Sequence, residues 1–194
     1  MKSNNRINPY LFFLCSILFI SACRQPSLPK QHAYPRIDFP EHQYETWHAN
    51  GVPYSFAKPL YSLMQQDTTG INWYNLQYLP FNATLHLSYR VFNKVTELDT
   101  LMDDTRKLVY KHTIKASDIN EVEIIDSNGR KGMFYELEGE TATSCNFYLT
   151  DGKSKFFRGA LYFNGYTTID SVGPVVSFIK HDIQQMIKSF KFEQ

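Results

Sequence analysis

The chain contains only one long apolar run, and this run lies near its N-terminus. Lys2 and Arg6 precede an uncharged stretch of 13 residues from Tyr10 to Ala22. A helix of that length measures ~20 Å at 1.5 Å per residue, whereas the hydrocarbon core of a bilayer is ~30 Å thick. The charge and the length are therefore typical of a signal peptide. No second apolar run follows, which excludes a polytopic membrane protein.

The apolar run ends in Ile20-Ser21-Ala22-Cys23, which resembles a bacterial lipobox. In such signals the cysteine thiol is joined to diacylglycerol, and a dedicated peptidase then cuts before the cysteine. We therefore interpret residues 1–22 as a lipoprotein signal peptide, with cleavage between Ala22 and Cys23 and lipidation at Cys23. Two or three acyl chains, such as palmitate, would hold Cys23 in a bilayer, since each buried CH₂ contributes ~0.8 kcal/mol. The alternatives are an N-terminal transmembrane anchor or an ordinary secretory signal with a chance cysteine.

The composition excludes several classes of protein. Hydrophobic residues make up 43% of the chain and charged residues 20%, which is typical of a globular domain rather than a disordered one. The chain has 20 basic and 19 acidic residues, and loss of Lys2 and Arg6 with the signal peptide changes its net charge from +1 to −1. Nucleic-acid binding requires a basic surface that releases counterions, so we expect no nucleic-acid partner.

The region after the signal divides into a tether and one folded domain. Residues 23–36 contain three prolines among polar residues, which predicts a lipidated cysteine followed by a flexible tether. Residues 37–194 are predicted to form a single periplasmic domain, in which the turn-rich stretch 37–70 is irregular with short strands at most. The first clear strand is Thr84 to Phe92, where apolar and polar residues alternate, and Trp73 to Tyr78 is its predicted hairpin partner.

Apolar residues at helical spacing predict two helices. Thr96 and Asp99 resemble a capping box at the start of the first helix. Its apolar stripe comprises Leu98, Leu101, Met102, Thr105, Leu108, Val109 and His112. The second helix is predicted from about Ser171 to Ser189 and begins near Pro174, since proline is tolerated in a first helical turn. Its apolar face comprises Val175, Phe178, Ile179, Ile183, Met186, Ile187 and Phe190.

Four further strands are predicted between the helices: Glu121 to Ile125, Lys131 to Glu138, Ser144 to Thr150 and Phe156 to Phe163. Asn128-Gly129 indicates a type I′ hairpin turn, Asp151-Gly152 indicates a second hairpin, and Gly159 indicates a bulge. Hairpin-linked strands with segregated helices favour an α+β fold, in which an antiparallel sheet of about five or six strands packs against two main helices. This order of elements is similar to the Mog1/PsbP-like fold.

No pattern in the chain predicts catalysis, a metal or a cofactor. The histidines form no His-x-His or His-Glu-x-x-His pair, and no Cys-x-x-Cys, nucleophile elbow or phosphate-binding loop is present. Cys145 is the one cysteine left after Cys15 is removed and Cys23 is lipidated, and its strand pattern predicts a small buried hydrophobe. Asp182 lies on or beside the apolar face of the last helix, so we expect it to pair with a buried cation such as Lys115 or Arg158.

An excess of aromatic residues in the N-terminal part of the domain has two interpretations. Tyr34, Phe39, Tyr44, Trp47, Tyr54 and Phe56 all fall in the stretch that is predicted to be irregular. They would either cover one face of the sheet or form an interaction surface for a protein or a glycan. We favour the covering role and keep Tyr34, Phe39, Tyr44 and Trp47 as the candidate interaction surface.

Short sequence blocks from the tether to the last helix resemble the gliding-motility lipoproteins of the GldD type. The blocks are Tyr34-Pro35-Arg36-Ile37-Asp38-Phe39-Pro40, Tyr54-Ser55-Phe56, Trp73-Tyr74-Asn75-Leu76-Gln77-Tyr78, His112-Thr113-Ile114-Lys115-Ala116, Ala142-Thr143-Ser144, Phe147-Tyr148-Leu149-Thr150-Asp151, Phe157-Arg158-Gly159-Ala160-Leu161-Tyr162-Phe163, Asp170-Ser171, Pro174 and Asp182-Ile183. The chain departs from that pattern at Cys145-Asn146, where relatives carry a Gln-rich pair. It departs again at residues 164–168, where relatives carry a proline-containing turn. Both departures indicate a diverged member.

The resemblance implies an envelope lipoprotein that is needed for gliding and for the associated type IX secretion apparatus. Members of that family are not known as enzymes, and Cys23 is the one functional position that carries over. We therefore expect a non-catalytic accessory or assembly factor, anchored to the outer membrane by its acyl chains and facing the periplasm, with components of that apparatus as partners. The alternatives are a lipoprotein that binds a small ligand or glycan through an aromatic-rimmed cleft, and an envelope hydrolase.

Overall fold

The structure is a computed structural model, and it describes the predicted domain but not the segment before it. The described residues are 37–111, 116–126, 129–139, 141, 143–165 and 169–193, with side chains from Gly173 onwards in the last range. Ala22, Cys23, Tyr34, His112 and Lys115 lie outside these ranges. The boundaries that we predict at residues 22 and 36 therefore stay predictions.

The domain contains a large and a small antiparallel sheet. In spatial order, the larger sheet consists of β3 (Leu63–Asp67), β4 (Trp73–Tyr78), β5 (Ala83–Val91), β9 (Lys155–Phe163), β8 (Thr143–Thr150), β7 (Lys131–Gly139) and β6 (Ala116–Ile125). The smaller sheet consists of β1 (Tyr44–Trp47), β2 (Tyr54–Pro59) and β10 (Lys191–Phe192). The two helices are α1 (Val95–Tyr110) and α2 (Ile169–Ser189), and a short 3₁₀ turn, Leu79–Phe81, joins β4 to β5.

The predicted α+β class, with an antiparallel sheet and two main helices, is confirmed. The sheets contain seven and three strands rather than five or six in all. The four additional strands are β1, β2 and β3, which form in residues 37–70 where we predict irregular structure with short strands at most, and β10 after the last helix. In β1 and β3 exposed and half-buried residues follow one another without regular alternation, and β2 is buried almost throughout, so none of the three shows a clear period of two.

Side-chain alternation in the large sheet separates two apolar clusters on its opposite faces. Phe147, Leu149 and Phe157 belong to the cluster beneath α2, whereas Tyr148 and Phe156 belong to the cluster beneath α1. Every predicted apolar position of α2 is buried except the half-buried Phe178. The buried stripe of α1 is narrower than predicted, because Leu108 is 37% exposed. Helix α1 thus covers part of one face, where it lies against β8 and β9.

Both helix starts differ from prediction. Helix α1 begins at Val95 with Lys94 at the N-cap and no side-chain cap, so the Thr96 capping box is wrong. The carboxylate of Glu97 instead accepts a hydrogen bond from the backbone N–H of Asn93 at 2.9 Å. Helix α2 begins at Ile169, which places Pro174 beyond its first turn. Burial of the long apolar face after Pro174 outweighs the hydrogen bond that proline removes.

The two predicted hairpins are present, but their turns are longer than a two-residue loop. The backbone N–H of Asp126 donates to the carbonyl of Arg130, and the N–H of Gly129 donates to the carbonyl of Asp126. Three residues therefore separate Asp126 from Arg130, one more than in a type I′ turn, and Gly129 has a φ of +76°. In the second hairpin, Asp151 Oδ1 accepts the N–H groups of Lys153, Ser154 and Lys155.

Gly159 is not a bulge but a point of close approach. It pairs in regular register with Leu87 on one side and Phe147 on the other. The irregularity in the β8–β9 pairing lies instead between Thr143 and Asn146. A Cβ at position 159 would lie 2.3 Å from a ring carbon of Phe147. The ring of Phe147 is fully buried within the core. Glycine at position 159 is therefore required by packing.

We expect Gly159→Ala to lower the free energy of unfolding by about 1–3 kcal/mol, the usual cost of overpacking a core. Gly173→Ala is the matched control, since nothing lies within 4 Å of a Cβ there and the position is helical. That control should raise the free energy of unfolding by about 0.5–1 kcal/mol. Urea denaturation of both variants measures the difference. Equal stabilities would contradict the close approach.

Candidate functional site

A fully buried carboxylate on α2 is the centre of the main polar cluster in the domain. Asp182 is 0% exposed. Its Oδ1 lies 2.7 Å from His42 Nδ1 and accepts a hydrogen bond from the hydroxyl of Tyr44 at 2.8 Å. Its Oδ2 accepts a short hydrogen bond from the hydroxyl of Tyr61. Three donors from the N-terminal part of the domain thus converge on one side chain of the last helix.

The surroundings of Tyr44 and Tyr61 keep both tyrosine hydroxyls protonated. Burial, followed by the hydrogen bond to Asp182, raises the pKa of both Tyr44 and Tyr61 well above the usual tyrosine range. Both hydroxyls therefore remain donors at any physiological pH. A carboxylate only accepts hydrogen bonds, so His42 carries a proton on Nδ1 when it contacts Asp182.

Aromatic rings surround the exposed side of the cluster. The ring of His42 stacks on Phe178 at 4.1 Å, and the ring of His181 lies 4.5 Å from that of His42. Phe39 stacks on the same Phe178 at 4.7 Å. These contacts hold residues 39–44 against α2. We name residues 39–44 the N-terminal strap. With 31% of its side chain exposed, His42 is the most accessible polar member.

The predicted pairing of Asp182 with Lys115 or Arg158 is wrong for Arg158, and Lys115 lies outside the described residues. Alternation in β9 puts Phe157 on the face that packs against α2 and therefore puts Arg158 on the opposite face. Asp182 is satisfied by two hydroxyls and an imidazole instead. The sequence carried one clue, because a buried acid on an apolar helix face requires partners, but it did not identify His42 or Tyr61.

The arrangement around Asp182 is suited to holding segments of the domain together rather than to acting on a substrate. Both carboxylate oxygens are occupied by donors, and the tyrosine hydroxyls are locked in donation. A nucleophile or general base must be within reach of a substrate, whereas the side chain of Asp182 is fully buried. Asp182 therefore ties the N-terminal strap and the β2–β3 turn to α2.

We expect Asp182→Asn to lower the free energy of unfolding by about 2–4 kcal/mol, because it removes the charge that strengthens three buried hydrogen bonds. The matched control is Asp104→Asn on the exposed side of α1, where the side chain is 60% exposed and the change should be within about 0.5 kcal/mol. Urea denaturation measures both. Chymotrypsin cleavage after Tyr44 should also accelerate only in the first variant, and unchanged cleavage would contradict the role of Asp182 in holding the N-terminal strap.

The predicted interaction residues occupy different positions in the domain. Phe39 is 39% exposed and Tyr44 is half-buried against Asp182, so both belong to the N-terminal strap. Trp47 packs against Tyr74 at 4.8 Å and Phe56 at 5.2 Å. These contacts are those of a cover over the core. Tyr34, and the predicted lipidation and cleavage positions Cys23 and Ala22, lie outside the described residues.

A polar cleft lies on the other face of the large sheet, where β5 and β9 extend beyond α1. Its volume is about 250 Å³, and Trp73, His86, Ser88, Arg158 and Tyr162 are among its lining residues. Burial lowers the pKa of the Arg158 guanidinium. Among the residues that the structure describes, no carboxylate forms an ion pair with Arg158, and its buried Nε has no hydrogen-bond partner.

Cys145 occupies the core beneath α2. It is 0% exposed, and burial raises the pKa of its thiol to about 12. At neutral pH the thiol is therefore protonated and shielded, which agrees with the role of a small hydrophobe and not with that of a nucleophile.

Thiol titration provides a direct test. If Cys15 is removed with the signal peptide and Cys23 is blocked by lipid, as the sequence predicts, the mature protein should show no thiol reactive with Ellman's reagent in its native state and one after denaturation. A second thiol after denaturation would mean that Cys23 is unmodified. Rapid reaction of the native protein would contradict the burial of Cys145.

Two further findings concern metals and membranes. The described part of the chain contains no group of three or more His, Cys, Asp or Glu side chains placed to hold a metal ion. The described helices include none with the length and apolarity needed to cross a bilayer.

The domain has an α+β fold that is known from a solved structure. The solution structure of cyanobacterial PsbP (CyanoP) from Synechocystis sp. PCC 6803 matches it with a TM-score of 0.51 and 9% sequence identity. The match covers 79% of this chain and 94% of that one. At this identity the likeness shows the fold alone, and it confirms the expected Mog1/PsbP-like architecture.

The family follows from the sequence of the domain. The family model for the gliding motility lipoprotein GldD matches residues 24–192, so the chain belongs to the GldD family of gliding motility lipoproteins. Membership of a lipoprotein family implies membrane anchoring and a role in gliding motility. A search among functionally curated proteins gives no match.

Proposed function

We propose that this GldD-family lipoprotein is a non-catalytic accessory or assembly factor of the gliding and type IX secretion machinery. The observation that carries the proposal is the family match, which begins at residue 24, directly after Cys23. A lipidation site at position 23 would place the whole matched domain outside the membrane. Acyl chains on Cys23 would anchor it to the outer membrane with the domain in the periplasm.

The mechanism in this proposal is confinement to a surface. A lipid anchor restricts the domain to a thin layer beside the bilayer, which raises its effective concentration near membrane-bound partners. Protein components of the gliding and secretion apparatus are the proposed partners. The buried thiol of Cys145 and the fully engaged carboxylate of Asp182 support a non-catalytic role, because neither is available to a substrate.

A ligand or glycan cleft rimmed by the N-terminal aromatic residues has less support. Phe39 and Tyr44 are held against α2, and Trp47 packs into the core. The cleft at Arg158 is lined by other residues on the opposite face of the sheet.

A complemented deletion strain tests the proposal. The deletion should impair gliding, or export of adhesins and secreted enzymes in a strain that does not glide, and the wild-type gene should restore it. Cys23→Ala should not restore it, because the protein would lack acyl chains and would be found as precursor or in the soluble fraction. Cys145→Ala is the matched control, since it removes a buried cysteine and leaves the lipidation motif intact.

Two results would contradict the proposal. Incorporation of labelled fatty acid into Cys23→Ala would place the anchor elsewhere. Normal motility and secretion in the deletion strain would exclude the accessory role.

A further inference from the structure

Two arginines on the open face of the large sheet have no acidic partner among the described residues. Arg158 lies on β9 directly opposite Ser88 on β5. Arg90, two residues further along β5 on the same face, lies over the ring of Trp73, with 5.6 Å between the guanidinium carbon and the ring centroid. Helix α1 covers the neighbouring Tyr148 and Phe156 but leaves this part of the face open.

The position of Arg158 is electrostatically unfavourable in the free protein. Arg158 is half-buried, and this burial lowers the pKa of its guanidinium; the positive charge of Arg90 lowers it further, while Tyr162 acts in the opposite direction. Its Nε is buried without a hydrogen-bond partner. An unpaired charge in such a position retains part of its desolvation cost. An anion in the cleft would supply the missing partner.

We propose that Arg158 and Arg90 form a docking site for a carboxylate side chain of a protein partner. This inference rests on the proposed function, since it names the chemistry by which a partner of the lipoprotein is recognised. A guanidinium presents parallel N–H donors that match the two oxygens of a carboxylate. The hydroxyl of Ser88 and the ring of Trp73 line the same cleft and complete a mixed polar and apolar contact.

The size and surroundings of the cleft favour a side chain over a free ligand. Its volume of about 250 Å³ is below the ~300–1,000 Å³ of pockets that enclose small molecules. Arginine and tryptophan are also the residues that contribute most at the centres of protein interfaces.

The other charged or titratable groups that line the cleft include Asp67 and His86. Hydrogen bonds from the N–H and hydroxyl of Thr69 lower the pKa of the Asp67 carboxyl, so this residue stays negatively charged and opposes an anion, but its single charge is outweighed by the two arginines. Nδ1 of His86 is hydrogen bonded to Asn75 at 2.7 Å, and burial lowers the pKa of this histidine. His86 therefore adds no positive charge at neutral pH, and the two arginines are the groups that attract the carboxylate.

Calorimetric titration of the full lipidated chain in detergent tests the proposal. The probes are a short oligoglutamate peptide, an oligoglutamine peptide of the same length, and inorganic phosphate. We expect oligoglutamate to bind, oligoglutamine not to bind, and Arg158→Gln to weaken oligoglutamate binding by at least about tenfold, as expected for loss of a charge-assisted hydrogen bond. Arg106→Gln on exposed α1 is the matched control with the same change in charge, and it should alter binding by less than about twofold.

Arg90→Gln guards against a folding defect in the Arg158 variant, because Arg90 is exposed. If Arg158→Gln lowers the melting temperature strongly, the affinity of Arg90→Gln for oligoglutamate, compared with that of Arg106→Gln, tests the site instead. Equal weakening by the cleft and control variants would overturn the site. Phosphate binding that oligoglutamate cannot displace would overturn the protein carboxylate as its occupant. A deletion strain with normal motility would instead overturn the proposed function while leaving the binding result intact.

Discussion

The pairing of β5 with β9 is the constraint on which the rest of the domain depends. Nine residue pairs run in unbroken antiparallel register from Ala83 and Phe163 to Val91 and Lys155. Because side chains alternate strictly along such a ladder, this register decides which residues face α2 and which face α1. The close contact between Gly159 and the ring of Phe147 makes any residue with a Cβ costly at position 159, in the middle of that ladder.

The same alternation separates the two polar features of the domain. On one face, α2 brings the carboxylate of Asp182 to the N-terminal strap, where three donors offset its desolvation. On the other face, Arg158 is left without such compensation among the described residues. The buried charge of Asp182 is therefore used to close the fold, whereas the half-buried charge of Arg158 faces the cleft of the proposed docking site.

Sequence patterns predicted the strands and helices in which apolar residues recur at regular spacing. The alternation of β5, the apolar face of α2 and both hairpins follow from side chains within a few positions of one another. The strands of residues 37–70 were missed because edge and fully buried strands lose that period. The partners of Asp182 were also missed, since His42 is separated from it by 140 positions and no local pattern connects them. At the first hairpin, the Asn-Gly pair correctly predicted a reversal, but the loop contains one residue more than a type I′ turn.

The N-terminal strap also determines where mechanical load enters the domain. Any tension transmitted along the chain from residue 37 reaches Phe39, His42 and Tyr44 before it reaches the large sheet. These residues are held to α2 by stacking and by the hydrogen bonds to Asp182, and β1 forms backbone pairs with β2 alone. Pulling force is therefore resisted first by the strap, so the central ladder stays unloaded until those contacts yield.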